Sequence, residues 1–334
     1  MHLQILAALA VSATLAAQAP HSGLADAVAA RPRDPRLHNE YGIELQNAGR
    51  AAEAAAHFRT ALDLDPRYVD AANNLALSLL SDDRAAGALS VLDKHPMPGA
   101  DHQALRGAVL GALGRPAEAA AALRRAVALA PGNPDYLYDL AIVLLRLDAT
   151  AEVASLIDRG RQKFPRSAKI HAVKGMVAYL TGKNAEAMQA YETAVKLEPN
   201  AADFHASLGD VYSAADKLQE ASRAYERALQ LDPSSAAYYV KAGRNLLKLQ
   251  RTEEAGRAFG KALAGDPANP EANFQLGKLA VARGDHAGAV PPFERAVEAA
   301  PSLKEAWYQL SLSYRSLGQP EKSREALERF KALQ

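Results

Sequence analysis

The sequence predicts an all-α protein, a solenoid of repeated helical hairpins, from three observations. Proline recurs at a spacing of 34 residues along most of the chain, and small residues recur at fixed places between those prolines. The apolar residues within each repeat follow the spacing of amphipathic helices. The recurring prolines are Pro32, Pro66, Pro131, Pro165, Pro199, Pro233, Pro267 and Pro301. An array of this kind leaves little chain for a separate catalytic domain.

Nine repeats follow one another in register along the chain. They span residues 35–68, 69–99, 100–133, 134–167, 168–201, 202–235, 236–269, 270–303 and 304–334. The eighth place of every repeat is Gly, Ala or Ser, and the twenty-fourth is large and apolar, as in Gly209 and Tyr225. A small residue lets two helices approach closely, while a large residue fills the space beside them. A short polar break predicts the turn between the two helices of each repeat.

Two repeats depart from this pattern. The second repeat is three residues shorter than the others, so its second helix is expected to lose most of a turn. Pro291 and Pro292 lie inside the second helix of the eighth repeat. Proline has no N–H to donate and crowds the preceding turn, so this helix is expected to kink or to start late.

The N-terminal residues predict export. The first nineteen residues contain no charged side chain, and Ala17-Gln18-Ala19 has the small-x-small pattern of a cleavage site. We therefore expect residues 1–19 to be a signal peptide and the protein to be periplasmic or secreted, with an uncleaved membrane anchor as the alternative. Residues 20–34 continue the phase of the second helices and predict a half-repeat that covers the first repeat.

The last repeat carries the most recognisable pattern. Trp307, Leu310, Ser311 and Tyr314 nearly reproduce the signature W-x2-L-G-x2-Y, and the array resembles the tetratricopeptide repeat (TPR) family. The resemblance covers residues 35–334 and implies a right-handed superhelical solenoid. It also implies that the first helices line a concave groove in which partner segments bind.

By the same resemblance, the second, fifth, ninth and twelfth places of each repeat face the groove. The partner-binding residues are then Asn39, Asn73, Leu77, Leu80, Tyr138, Ile142, Leu145, Met176, Tyr179, Arg244, Phe274, Lys278 and Tyr308. Repeats two to five supply an apolar trough, and repeats seven and eight supply a basic patch of Lys241, Arg244, Lys248 and Lys278. We expect Arg244 to pair with Asp210, and the alternative is that the patch captures an acidic group of a partner.

Catalytic and cofactor motifs are absent from the sequence. It contains no glycine-rich phosphate loop, no H-E-x-x-H and no G-x-S-x-G, so we expect neither catalysis nor a cofactor. His38, His171 and His205 share the fourth place of their repeats, where packing is the simpler explanation than metal binding. The carboxylate clamp known in the family is not supported, since Asp101 stands where a cation would be needed.

Composition narrows the function further. The net charge is +1, from 39 basic and 38 acidic residues, which argues against a nucleic-acid partner. We expect a non-catalytic scaffold in a bacterial cell envelope that binds an extended or helical protein segment, as a monomer or an end-to-end homo-oligomer. No integral membrane span is expected after signal cleavage. The alternative is a glycan- or small-ligand-binding array associated with polysaccharide export or glycosyl transfer.

Overall fold

A computed structural model describes residues 23–334 of the chain, which form nineteen α-helices and no β-strand. The predicted signal peptide lies outside the described residues. The helices are α1 (Leu24–Ala30), α2 (Pro35–Asn47), α3 (Ala51–Leu64), α4 (Val69–Ser81), α5 (Ala85–Lys94), α6 (Ala100–Ala112), α7 (Pro116–Leu129), α8 (Pro134–Arg146), α9 (Thr150–Lys163), α10 (Ala168–Leu180), α11 (Asn184–Leu197), α12 (Ala202–Ala214), α13 (Leu218–Leu231), α14 (Ala236–Lys248), α15 (Thr252–Gly265), α16 (Pro270–Ala282), α17 (His286–Ala299), α18 (Lys304–Ser316) and α19 (Pro320–Ala332). The all-α fold of repeated hairpins is confirmed.

Each repeat contributes two helices in the same phase. The even-numbered helices α2 to α18 are the first helices and begin at the first residue of each repeat. The odd-numbered helices α3 to α19 are the second helices. Proline stands at the first position of α2, α7, α8, α16 and α19, where a missing N–H removes no bond within the helix.

The turn inside every repeat has one residue in the left-handed conformation, always at the fifteenth place. Glycine, which has no Cβ, occupies five of these positions, and aspartate, which tolerates the conformation, occupies three. Gln250, with φ of 61°, is the only long side chain among them. The positions are Gly49, Asp83, Gly114, Asp148, Gly182, Asp216, Gln250, Gly284 and Gly318.

The small and large residues of each repeat pack against each other as the sequence predicts. A Cβ added to Gly209 would lie 2.6 Å from a ring carbon of Tyr225, and one added to Gly277 would lie 2.5 Å from the ring of Phe293. Such distances are shorter than a contact between two non-bonded carbon atoms. These two sites therefore accept only glycine unless the ring moves. Phe293 is completely buried as a result.

The two irregular repeats behave differently. Helix α5 has ten residues where the other second helices have thirteen or fourteen, as the shortened repeat predicts. Helix α17 begins at His286 despite its internal Pro291 and Pro292, so the expected late start is wrong. The side chain of Asp285 accepts a hydrogen bond of 2.7 Å from the Gly288 N–H and caps the first turn. Pro291 and Pro292 follow this cap by six and seven residues and remove later donors only.

Contacts divide the chain into two compact halves, one ending at Val173 and the other beginning at Lys174, inside α10. In the N-terminal half, α1 packs on α2, and the first helices α2, α4, α6 and α8 contact one another in sequence. In the C-terminal half, α12 contacts α14 and α16 contacts α18. In each half, we call the surface formed by its first helices the first-helix face.

Candidate functional site

All thirteen predicted partner-binding residues lie on first helices. In the N-terminal half they are on α2, α4 and α8, and in the C-terminal half on α10, α14, α16 and α18. They differ in exposure. Leu77, Ile142 and Leu145 are partly exposed, and Tyr179 and Tyr308 are exposed by 38% and 41%. These side chains offer apolar surface to a partner.

Two of the predicted residues support the face from beneath. Leu80 and Asn39 are buried, with 3% and 4% of their surface exposed. The Asn39 side-chain oxygen accepts a hydrogen bond of 2.9 Å from the Asn74 amide, which joins α2 to α4. Asn73 joins α4 to α6, since its oxygen lies 2.9 Å from Nδ1 of His102. In this conformation the asparagines therefore link consecutive repeats.

Most cations of the basic patch in the C-terminal half already interact with other groups of the protein. Asp210 pairs with Lys241, and its other oxygen accepts a hydrogen bond of 2.8 Å from the Tyr225 hydroxyl. The expected pair between Arg244 and Asp210 is therefore wrong. Lys241 precedes Arg244 by three residues on α14, which places both on one side of the helix, and Lys241 reaches the carboxylate of the previous repeat.

The other cations of this patch differ in their availability. The Lys248 ammonium donates to the backbone and side-chain oxygens of Ser213 at 3.0 and 2.9 Å. The Lys278 ammonium lies 5.5 Å from the centre of the Phe274 ring, a cation–π distance. Arg244 is exposed and makes no hydrogen bond or ion pair within the described residues. The patch thus offers Arg244 and Lys278 to a partner.

The N-terminal half contains one candidate binding residue, Asp139, that the sequence does not predict. Asp139 on α8 is half-buried, and its carboxyl group makes no hydrogen bond or ion pair within residues 23–334. Burial raises the pKa of Asp139 to about 7, and the charge of Asp135 adds to that effect while Lys169 opposes it. The sequence does carry a signal for this residue: Asp139 occupies the sixth place of its repeat, where the two adjoining repeats have the apolar residues Leu105 and Val173.

The histidines at the fourth place of their repeats all make the same contact with the backbone. Nε2 of His38, His171 and His205 lies 3.0, 3.1 and 2.9 Å from the carbonyl oxygen of the proline six residues earlier. Trp307 makes the equivalent bond of 2.9 Å to Pro301, so the contact belongs to the repeat and needs no metal to explain it. No group of three or more potential metal ligands occurs in the described part of the chain.

His38 belongs to a small cluster at the start of the array. Its Nε2 donates to the Pro32 carbonyl, so its Nδ1 is free to accept from Nδ1 of His57, 2.9 Å away. The Tyr41 ring meets His57 edge-on. Burial is the main cause that lowers the pKa of His57, and the charge of the neighbouring His38 lowers it further. The pair is therefore a packing contact between the first and second helices of repeat one.

Comparison with sequence models of known families gives consistent matches along the chain. Five models described as tetratricopeptide repeat or TPR repeat match residues 45–109, 110–177, 175–216, 202–235, 240–304 and 304–334. No curated protein matches the sequence. Between residues 23 and 334, none of the helices combines the length and the apolar character that crossing a membrane requires.

Solved structures with a similar fold include two crystal structures of MamA and one of YrrB. The two MamA structures are each 21% identical to this chain, with a TM-score of 0.44; they cover 49% and 48% of it, and 89% and 93% of their own chains. YrrB, described as a TPR protein with an unusual peptide-binding site, is 22% identical over 53% of this chain and 92% of its own, with a TM-score of 0.43.

Proposed function

This chain belongs to the tetratricopeptide repeat family, and we propose that it is a non-catalytic adaptor that binds an extended or helical segment of a protein partner. The segment binds on the first-helix face. Proteins of this family act as interaction scaffolds, and the specific arrangement of side chains on this face supports the same role here.

The observation that carries the proposal is the placement of exposed apolar side chains. Nine large apolar residues are exposed among the described residues, and six of them lie at helix ends or in the adjoining turns. Of the other three, Ile43 and Tyr308 lie inside first helices, and Tyr179 is the penultimate residue of the first helix α10. Tyr308 contacts the Phe330 ring at 5.2 Å between ring centres and still exposes 41% of its surface. Exposed apolar and aromatic surface of this kind usually marks an interaction site.

Apolar contacts are expected to supply most of the affinity. Burial of one medium or large apolar side chain contributes roughly 1.5–3 kcal/mol, whereas an exposed ion pair contributes about 0–1 kcal/mol. Arg244 and Lys278 then act mainly on orientation and on the association rate, which should make binding sensitive to salt. The partner is a protein or peptide and not a nucleic acid, in keeping with the balanced charge of +1.

We place this adaptor in the periplasm or outside the cell. The support is the uncharged N-terminal stretch and its small-x-small pattern. Separating the cells that make the protein into cytoplasm, membrane and periplasm, followed by N-terminal sequencing of the mature chain, tests this part. Recovery in the cytoplasm with Met1 intact contradicts it.

Site-specific photo-crosslinking tests the binding surface. A benzoylphenylalanine replaces Tyr308 on the first-helix face in cells that naturally make the protein, and Leu129, exposed by 54% at the end of α7, receives the same group as the control. We expect a discrete crosslinked protein from position 308 and none from position 129. Tyr308→Asp should abolish a partner's binding, while Leu129→Asp should not.

Two results contradict the proposal. One is equal crosslinking from both positions, which indicates contact without a defined face. The other is a crosslink from position 129 alone, which places the partner on the second helices. A crosslink from position 308 to a glycan or small molecule instead of a protein favours the alternative of a ligand-binding array.

A further inference from the structure

Half-buried aspartates on the first helices are almost all bound by a neighbouring repeat. Asp135 pairs with Lys169 at 2.9 Å, Asp203 accepts from the Tyr238 hydroxyl, and Asp210 binds both Lys241 and Tyr225. The fourth half-buried aspartate of the first helices is Asp139, and it makes no hydrogen bond or ion pair in the described part of the chain. The structure thus supplies partners for three of these four carboxylates.

The surroundings of Asp139 make a carboxylate without a partner energetically unfavourable. The residues at the same place in the adjoining repeats, Leu105 and Val173, are buried at 5% and 1% exposure. Lys169, whose charge acts on Asp139, already forms its ion pair with Asp135. A half-buried carboxylate without a hydrogen-bonded partner loses hydration, and the charge of Lys169 offsets that loss only in part. The raised pKa of Asp139 is the consequence.

The neighbouring side chains suit a long basic residue. Ile142 follows Asp139 by three residues on α8 and is partly exposed, so it lies on the same side of the helix. Lys and Arg bury their aliphatic stems on apolar surface while their charged ends reach an acceptor. A carboxylate beside a partly exposed isoleucine matches both parts of such a side chain.

We propose that Asp139 is the recognition point for a lysine or arginine side chain of the bound partner segment. This inference rests on the proposed function, because it assigns the chemistry of the partner at one place on the first-helix face. A cation from the partner supplies the opposite charge that the protein itself does not place in contact with this half-buried carboxylate. Hydrogen bonds to charged groups are stronger than neutral ones in such surroundings.

Peptide selection on the purified full-length protein tests the inference without knowledge of the natural partner. The probe is a phage library of random dodecapeptides, selected at pH 8 and then measured on the wild type, Asp139→Asn and Ile142→Asp. Asp158→Asn, at an exposed carboxylate on the second helix α9, is the matched control. We expect the selected peptides to be enriched in Lys or Arg and to bind Asp139→Asn at least tenfold more weakly. They should bind Asp158→Asn as they bind the wild type.

The outcomes separate this inference from the proposed function. Peptides that lose binding on Ile142→Asp but bind Asp139→Asn normally support the binding face and overturn the role of Asp139. Peptides without basic enrichment also overturn it. If no peptide is enriched at all, or if binding is equal on all variants, the first-helix face of repeat four is not a peptide site and both proposals fail there.

A pH series provides a second readout. The charged groups acting on Asp139 are Lys169 and Asp135, and the raised pKa of Asp139, about 7, lies between pH 6 and pH 8. For a selected peptide that contains arginine and no histidine, binding to the wild type should weaken several-fold from pH 8 to pH 6. Binding to Asp139→Asn should change little. Equal pH dependence in both proteins contradicts the inference.

Discussion

Nε2 of His205 lies 2.9 Å from the carbonyl oxygen of Pro199, which ties the start of α12 to the loop that closes the preceding repeat. A carbonyl can only accept, so Nε2 carries the proton. Asn273 makes the same bond in another repeat, from its Nδ2 to Pro267 at 3.0 Å. Histidine, asparagine and tryptophan at the fourth place therefore make the same bond, although Ala72, Leu137 and Tyr239 show that not every repeat requires it.

Two substitutions of His205 should distinguish the contribution of its N–H donor to stability from the contribution of its aromatic ring. His205→Phe keeps an aromatic ring but leaves the Pro199 carbonyl without its bond, so we expect a loss of about 1–2 kcal/mol in the free energy of unfolding. His205→Asn should lose less, because asparagine makes this bond at position 273. Urea unfolding followed by circular dichroism measures both. A larger loss for the asparagine variant would show that ring packing is the dominant contribution.

The contact between the eighth and twenty-fourth places predicts a pair of opposite effects. Gly209→Ala puts a methyl group 2.6 Å from the Tyr225 ring and should destabilise the protein by about 1–3 kcal/mol. Gly260→Ala, in the middle of α15 with open space around it, should stabilise by about 0.5–1 kcal/mol. Thermal unfolding of the two variants distinguishes them. Similar shifts for both would mean that the Tyr225 ring moves aside without loss.

Gln250 should be the least favourable of the nine turn residues. It holds a left-handed conformation, φ 61°, that a long side chain rarely adopts. Gln250→Gly should relieve this strain and stabilise by about 0.5–1 kcal/mol, less than the full strain because glycine has more freedom when unfolded. Gln250→Ala keeps the Cβ and is the control, with little change expected. Urea unfolding measures the difference, and a glycine variant less stable than wild type is the contradictory result.

Asp139 should make stability depend on pH in a defined direction. Its pKa is raised from 3.8 to about 7 on folding, so the folded protein holds the proton more tightly than the unfolded chain. The resulting stability is present in full below about pH 4 and is lost as the pH rises through about 7. Asp139→Asn should thus be more stable than the wild type at pH 8, by about 1–3 kcal/mol. At pH 4 the two should be nearly equal.

Melting temperatures measured from pH 4 to pH 8 check this prediction. Asp158→Asn, whose carboxylate is exposed, should follow the wild type throughout. A constant difference between wild type and Asp139→Asn across the series would mean that ionisation of Asp139 does not contribute. Greater stability of the asparagine variant would also be consistent with a carboxylate retained for binding at the expense of stability.

The sequence by itself determined the helices, their phase and the small-to-large packing pairs. Each of these follows from spacing along the chain, and the same spacing recurs nine times, so a local error would conflict with the neighbouring repeats. The family, the turn positions and the pairing of Gly209 with Tyr225 are consequences of that period. The late start predicted for α17 is wrong because the Asp285 side chain caps the first turn ahead of the prolines.

The tertiary structure decided how polar side chains of adjacent repeats find their partners. Residues about 34 positions apart are brought close by stacking, but a shift of one helical turn changes which side chain reaches which. Lys241 therefore takes the place expected for Arg244 beside Asp210, and Asn39 is tied to Asn74 below the surface. The same physics left Asp139 without a partner, because Lys169 reaches Asp135 instead. Repeat periodicity fixes which faces meet, while side-chain length and rotation fix which charges are satisfied.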